Sequence, residues 1–417
     1  MKYQRPRGVN DILPADIGEW QFAENSFRDL CRRYCFDEIR TPIFEETDLF
    51  KRSVGEQTDI VSKEMYTFED RSDRSLTLRA EGTAPTIRAF IENNLQGQDL
   101  ARVTKLYYIA PIFRYEKPQA GRYRQHHQCG IEALGSQDPA LDAEICDLAI
   151  TFYAALGITQ VKLMVNSVGC PNCAPGYAEA LKAFLGDRIG EMCGDCRARF
   201  DRNPRRILDC KVPGCKDITQ GAPQQIDMLC DECAAHFAGV QENLTNLGIR
   251  FEINPRIVRG LDYYTKTAFE FVSEGLGSQD AIGAGGRYDG LVEQCGGRPT
   301  PGVGMGIGLE RILLVRQNLG IRPVGKPREG LFVIALGDDA WPQTVKLAAD
   351  LRHSGQRAAF DFRKRSMKAQ LRFADAEGFA KAAILGDDEI ASGTVSVKDL
   401  ETGEQVSVAR ESLLAGG

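Results

Sequence analysis

Three short stretches of this 417-residue chain bring together residue types that could handle a phosphate, a base and a carboxylate. The first, Phe113 to Glu132, reads as strand, turn and strand, with the turn at Lys117–Gly121. Arg114 and Glu116 precede the turn; Arg122, Arg124, His126, His127 and Gln128 follow it. A guanidinium offers phosphate two parallel hydrogen bonds, and a carboxylate beside it accepts from an exocyclic amine. A charged hairpin by itself is ordinarily a solvated surface, so the odds turn on the other two stretches. Val303–Arg311 sets alternating glycines ahead of a helix that carries an arginine in its first turn. These glycines do not fit G-x-G-x-x-G, and no strand-helix-strand unit with an acidic residue follows, which argues against a dinucleotide fold. They would instead let the backbone pack closely against a flat base. In Ile257–Thr265, Arg259, Asp262, Tyr263 and Tyr264 leave an apolar strand, an odd composition for a core element.

A fourth pattern is metallic. Eight of the thirteen cysteines fall between positions 170 and 233, as Cys170-x-x-Cys173, Cys193-x-x-Cys196, Cys210-x4-Cys215 and Cys230-x-x-Cys233. The C-x-x-C spacing lets two thiolates reach one tetrahedral Zn²⁺. Eight ligands suit two four-cysteine sites, or one site plus spare thiols. An all-cysteine shell leaves no open position, so such a site is structural rather than catalytic. The competing account is a set of buried small hydrophobes, which fits Cys31, Cys35, Cys129, Cys146 and Cys295.

The elements that must position these residues read as follows. Asp16 to Tyr34 is an amphipathic helix, and strands are expected at Glu38–Pro42, Met65–Phe68, Ser75–Arg79, Lys105–Ile109 and Arg124–Ala133. A helix near 138–156 leads to the strand Val161–Val165, then to the cysteine-rich, helix-prone insertion at 168–250. Strand character returns at Ile249 and at Ala268–Val272, and a helix near Gly308–Asn318 follows a glycine-rich passage. Consecutive strands with interspersed helices indicate an α+β domain around an antiparallel sheet, spanning 1–325. The Pro/Gly-rich stretch Gly320–Gly330 reads as a linker. Beyond it, at 328–417, strand-helix alternation with the apolar run Leu331–Leu336 describes a small α/β domain.

Composition sets bounds. At 43% hydrophobic and 26% charged the chain is an ordinary globular sequence. No run approaches the roughly 18 apolar residues of a membrane span, and the N-terminus lacks an apolar signal core, so cytoplasmic residence without a membrane partner is expected. With a net charge of −6, any nucleic acid must be held by local basic patches. The segment 352–372 is one such patch: Arg352, Arg357, Arg363, Lys364, Arg365, Lys368 and Arg372 stand against Asp361 alone.

Together these motifs resemble those of class II aminoacyl-tRNA synthetases, and within them the histidyl-tRNA synthetase family. Phe113-Arg114-Tyr115-Glu116 is similar to the class's second motif and Gly306-Ile307-Gly308-Leu309-Glu310-Arg311 to its third, while Thr41-Pro42 lies where the weaker first motif would end. Arg259-Gly260-Leu261-Asp262-Tyr263-Tyr264 and Gly285-Gly286-Arg287-Tyr288-Asp289-Gly290 are similar to the histidyl-specific peptides, and Arg5–Asp11 also fits. The resemblance implies a class II antiparallel sheet with a C-terminal anticodon-binding domain, ligation of L-histidine to its tRNA through a histidyl-adenylate, ATP with Mg²⁺, and a homodimer. It further implies Arg114, Glu116, Arg122 and Arg311 around ATP, with Arg114 and Arg259 acting on the α-phosphate. Glu81, Gly82, Thr83, Gln128, Glu132, Arg259, Tyr263, Tyr264 and Tyr288 would surround histidine. Gln119, Arg122 and Arg124 would meet the tRNA acceptor end, and Arg363, Lys364 and Arg365 its anticodon arm. His126 and His127 are the candidate bases for transfer. A regulatory paralogue that only binds histidine would be expected to lose Arg259, Arg311 or Glu81, and all three are present.

Overall fold

A computed structural model describes residues 3–55, 58–97, 102–273, 281–323, 325 and 327–414. The chain divides into two compact units, Met1–Pro323 and Val324–Gly417.

Strands of the first unit are β1 (Asp37–Glu38), β2 (Phe44–Glu46), β3 (Thr67–Glu69), β4 (Ser75–Leu78), β5 (Thr104–Phe113), β6 (Gln125–Leu134), β7 (Val161–Ser167), β8 (Phe251–Ile253), β9 (Thr265–Ser273), β10 (Ala281–Arg287) and β11 (Gly302–Gly308). Eight of them form one sheet in the order β1-β5-β6-β11-β10-β9-β7-β8. Pairing is antiparallel except for the two outermost pairs, β1 with β5 and β7 with β8. The remaining strands make a small sheet, β2-β4-β3.

Alternation along a strand sends successive side chains to opposite faces, and here it separates core from cleft. On β6, Cys129, Ile131 and Ala133 are fully buried in the main core, as are Val303 and Ile307 of β11 and Phe269 and Phe271 of β9. The helices Ile17–Arg33, Pro139–Ala155, Asp231–Asn246 and Leu309–Asn318 cover that face with Phe27, Leu30, Leu148, Phe152, Val240 and Ile312. Each such side chain contributes about 1.5–3 kcal/mol by leaving water. The opposite face carries His126, Gln128 and Glu132 of β6 beside Gly304, Gly306 and Gly308 of β11.

Two glycine-rich central strands are the main departure from the sequence reading, which treated 303–308 as a passage for a flat base. These glycines are ladder residues, and what they accommodate is protein. A Cβ at Gly304 would lie 2.0 Å from Glu132 Oε2, and one at Gly306 would lie 2.3 Å from Gln128 Nε2. The expected strand at Glu38–Pro42 shortens to Asp37–Glu38. The helices Thr47–Val54 and Thr83–Glu92 had no sequence signal strong enough to be read.

A buried ion network ties β10 to the helix Pro139–Ala155. Arg287, fully buried, bonds Asp142, Asp289 at 3.2 Å and the Ser136 carbonyl at 2.8 Å. Burial opposes ionisation of Asp142, but His236 and Arg287 outweigh it and hold the carboxyl below its usual range. Thus Arg287, which stands in one of the histidyl-type peptides, serves the fold.

In the second unit, strands β12 (Leu331–Ala335), β13 (Ala358–Phe360), β14 (Lys381–Leu385), β15 (Thr394–Asp399) and β16 (Gln405–Ala409) form a sheet ordered β13-β12-β14-β15-β16. The first three are parallel, and β15 and β16 add antiparallel. The helices Ala340–His353 and Met367–Ala376 pack on β12 through separate small cores. No described helix is long and apolar enough to cross a membrane.

Replacing Asp142 by Ala leaves Arg287 buried without its main partner, and urea denaturation should show a loss of about 3–5 kcal/mol. Gly304→Ala should cost about 1–3 kcal/mol through overpacking against Glu132; an unchanged midpoint would refute the steric account.

Candidate active site

Strands β5 and β6 continue past the sheet as the expected hairpin. Arg114 N–H bonds the Arg124 carbonyl at 2.9 Å, and Gln119 and Arg122 exchange backbone hydrogen bonds across the tip. Arg114, Glu116, Arg122, His126, Gln128 and Arg311 line one cleft of about 330 Å³. Arg114 Nε donates to the Ala80 carbonyl at 2.7 Å, which fixes the guanidinium beside Glu116 at 3.9 Å. Arg122 reaches the same Glu116 at 3.3 Å. Arg311 enters from the helix Leu309–Asn318, and Gly121 lets the hairpin approach its stem: a Cβ there would meet Arg311 Cγ at 3.3 Å.

Deeper on the same face lies a buried cluster built around two carboxylates. Glu81 is 3% exposed and Glu132 fully buried. Glu81 caps the helix Thr83–Glu92 by accepting from Thr83 N at 2.7 Å and Ala84 N at 2.6 Å. Thr83 Oγ1 donates to Glu132 at 2.7 Å, and the Tyr288 hydroxyl donates to the other Glu132 oxygen. Gly82 and Gly130 leave room for the Tyr108 ring, since a Cβ at either would fall within 2.2 Å of it. The Tyr108 hydroxyl donates to Gln128 at 3.2 Å, which joins the cluster to the cleft. Tyr263 stands edge-on to Tyr288 at 5.6 Å and tilted against Tyr264 at 4.7 Å. Desolvation raises both carboxyls; Glu132 is pushed up to about 8 despite the hydroxyls of Tyr288 and Thr83, with Glu81 adding repulsion. Two buried acids thus stand chiefly among hydroxyls and tyrosine rings, which disfavours their charged forms.

Arg259 leaves the loop before β9, pairs with Glu270 at 3.0 Å and stacks over the Tyr264 ring at 5.0 Å. Its Nε is buried without an acceptor among the described residues. Glu270 itself lines the arginine cleft, so Arg259 is connected to both halves of the site.

The two histidines separate. His126 faces the cleft, where burial and Arg114 push it down to about 3, so it is neutral near pH 7. His127 points to the opposite face, bonding Glu310 at 2.9 Å and meeting Trp20 edge-on at 5.0 Å. Arg124 lies over the Tyr115 ring at 3.7 Å, and Gln119 sits exposed at the hairpin tip. Glu270, Asp209 and Lys211 line the cleft, and Tyr108 bonds Gln128 within it, but no local sequence signal marks them, because distant segments bring them there.

The eight insertion cysteines resolve into two groups, Cys170/Cys173/Cys230/Cys233 and Cys193/Cys196/Cys210/Cys215, with the four sulfurs of each within 4.8 Å of one another. Measured Sγ–Sγ separations are 3.9 Å for Cys170–Cys173, 3.7 Å for Cys170–Cys230, 3.9 Å for Cys173–Cys233 and 3.8 Å for Cys193–Cys210. A tetrahedron with Zn–S bonds of about 2.3 Å has edges of about 3.8 Å. Disulfides, at about 2.05 Å, are excluded for these pairs. Backbone N–H groups of Cys170 and Cys193 point at the sulfurs of Cys173 and Cys215, each at 3.3 Å, as a thiolate requires.

In the second unit the basic run is partly spent within the fold. Arg365 pairs with Asp361 at 2.8 Å, Arg352 bonds the Ala358 carbonyl, and Arg357 bonds three carbonyls. Lys364 pairs with Asp338 at 3.1 Å; Arg363, Lys368 and Arg372 are exposed.

Residues 8–180 and 218–312 match the family described as histidyl-tRNA synthetase, and 331–416 match the anticodon binding domain. The histidine–tRNA ligase of Desulfitobacterium hafniense is 50% identical over 408 residues, 98% of this chain and 96% of that protein. That of Moorella thermoacetica is 51% identical over the same shares. The crystal structure of apo S. aureus histidyl-tRNA synthetase superimposes with a TM-score of 0.84 at 38% identity, covering 99% of each chain. Similarity of this extent, on a sheet and cleft of this construction, places the chain in the histidyl-tRNA synthetase family.

Proposed function

We propose that the protein activates L-histidine with ATP and transfers it to its tRNA. The observation that carries the reading is the continuity of one sheet face: an arginine-lined cleft adjoins, through the hydrogen-bonded Gln128 and Tyr108, a cluster holding two buried carboxylates. Phosphate and cation therefore have adjoining berths. Arg114 would grip the α-phosphate, Glu116 would accept from the adenine amine, and Arg122 and Arg311 would clamp the nucleotide. Glu81 keeps free lone pairs after its two backbone bonds, so with Thr83 it would take the α-ammonium; Gly82 is required for the pocket's shape. Glu132, Tyr264, Tyr263 and Tyr288 would enclose the imidazole, and Gln128 would orient the carboxylate.

In the first step a carboxylate oxygen of histidine bonds to the α-phosphorus, and the bond to the bridging oxygen breaks with its electron pair leaving on pyrophosphate. Arg259, exchanging Glu270 for phosphate oxygen, would neutralise the charge that develops. Mg²⁺ bound with ATP supplies charge neutralisation on the β- and γ-phosphates, and Glu116, Asp209, Glu270 and Glu310 are the cleft's oxygen donors. In the second step a 3′-terminal ribose hydroxyl attacks the carbonyl, its proton passes to the phosphate of the adenylate, and AMP leaves as the acyl–oxygen bond breaks. Gln119, Arg122 and Arg124 are read as contacts to the acceptor end, and Arg363, Lys364 and Arg365 as contacts to the anticodon arm, with Arg363 the most available. The same reading makes the protein a cytoplasmic homodimer, and gives each four-cysteine group one structural Zn²⁺.

Pyrophosphate exchange into ATP should depend on L-histidine and nearly vanish in Arg259→Ala; equal stimulation by another amino acid refutes the assignment. Purified protein should carry two zinc ions per chain, and less than about 0.2 ends the metal reading.

Glu132 also gives a pH prediction. Its carboxyl rises from 4.5 to about 8 on folding, so between those values the folded state holds a proton that the unfolded state has lost. Its contribution is complete below about pH 4.5 and is lost as pH rises through about 8. Glu132→Gln should therefore melt progressively higher than the parent from pH 5 to 8 while losing histidine-dependent exchange. A pH-independent difference in melting would show that Glu132 is not a buried neutral acid.

A further inference from the structure

The group Cys193/Cys196/Cys210/Cys215 lies in 181–217, the stretch that the family match skips. It is nevertheless built into the active site. Cys210 stands between Asp209 and Lys211, and both of these line the arginine cleft. The helix Gly194–Arg202 and the turn after it also grip the loop that carries Arg259. Arg206 donates to the Gly260 carbonyl at 3.2 Å, and Asn203 donates to Asp262 at 2.9 Å. Arg199 and Arg206 both pair with Asp59 at 3.0 Å, which ties the lobe to the segment Ile60–Glu64 as well. On the other flank of Arg259, Arg256 donates to Thr219 Oγ1 at 2.7 Å, and Val258 packs on the lobe's own core of Tyr177, Leu181, Ile207 and Leu208. The void left between loop and lobe is about 20 Å³, room for roughly one water.

A loop held this closely on both sides is only as rigid as its support. That support consists of the twelve-residue helix Ala174–Leu185 and, within 186–219, only a nine-residue helix, a six-residue helix and short 3₁₀ turns. Chain segments below about 40 residues do not build a self-sufficient apolar core and depend on metals or cross-links. A metal ion held by the four clustered sulfurs would supply that cross-link here.

We propose that this outer four-cysteine centre binds a zinc ion whose role is to position Arg259: it fixes the 193–219 lobe, which holds the 256–262 loop in register with the arginine cleft. The proposal rests on the reading of the site as one of histidine activation. Arg206, Asn203 and the four cysteines are positioning residues and touch no substrate.

The test uses the full-length zinc-loaded protein. Arg206→Ala should keep two zinc ions per chain and lower kcat for histidine-dependent exchange about tenfold or more, because misplacement of a reacting group by about 1 Å costs on that scale. Its KM for ATP should stay within about twofold, Arg206→Lys should restore part of the rate, and Asn203→Ala should show the same split more weakly. Cys193→Ser/Cys210→Ser should fall from two zinc ions to one with the same loss of kcat. In an Arg259→Lys background, where the retained charge should leave a measurable residual exchange, Arg206→Ala should add little. Unchanged kcat in Arg206→Ala, or a full additive loss beside Arg259→Lys, overturns the positioning role even if both zinc ions are present. Absence of exchange with histidine in the parent protein would instead overturn the activity reading.

Discussion

The structure depends on one constraint: the central antiparallel sheet must bury one face completely while the other face holds charged side chains out of bulk water. Alternation makes this possible, since neighbours on β6 such as Ile131 and Glu132 go to opposite faces. It is not sufficient, because large side chains facing one another from neighbouring strands would collide. The glycines of β11 remove that conflict for the cleft-facing side chains of β6. Gly304 vacates space for Glu132, and Gly306 does so for Gln128, while Met305 between them and Val303 and Ile307 on either side remain in the core. Glycine weakens a strand by itself, so these strands are held by their neighbours in the middle of an eight-stranded sheet.

The cost of such a face is visible in its electrostatics. Glu81 and Glu132 are desolvated and raised, and Arg259 is held by Glu270 and Tyr264. Each arrangement is a polar group kept ready in a low-dielectric place, where interaction with an incoming charge is strongest. The fold offsets this with a different kind of burial on the far side of the pocket. There Arg287 and Asp142 are fully buried but fully partnered, and they join β10 to a core helix. The Arg287–Asp142 pair is charged and satisfied, whereas burial disfavours the charged forms of Glu81 and Glu132.

The cysteine-rich insertion and the C-terminal unit illustrate how local features acquire meaning from packing. Along the chain, Cys193-x-x-Cys196 could pair with any other cysteine couple; in space it closes with Cys210 and Cys215, beside the Arg259 loop. The basic segment 352–372 counts as strongly positive in sequence, yet Arg365, Arg352 and Arg357 are engaged within their own domain. Charge that reaches solvent is less than charge that is counted.

Much of the fold was legible in the residues. The helices at 17–33, 139–155 and 340–353, the hairpin, the α/β character of the last ninety or so residues and the α+β character of the rest all followed from periodicity and turn chemistry, which are local. Arg114, Glu116 and Arg311 stood out because their types and places suit a nucleotide, whereas Glu81 and Glu132 were named only through the motif resemblance. What the sequence did not disclose was set by contacts between distant segments. Strand propensity concealed β10 and β11, whose glycines are explained only by the side chains opposite them. Helix Thr83–Glu92 begins on a glycine, with its first amides capped by Glu81 from outside the helix. The partition of His126 into the cleft and His127 onto Glu310 follows from which face each strand position meets. The sequence by itself thus determined the chemical repertoire and the element types. Tertiary structure decided which cysteines share a centre, which arginines stay available and which acids are left without a partner, because burial and pairing are properties of positions brought together by the sheet.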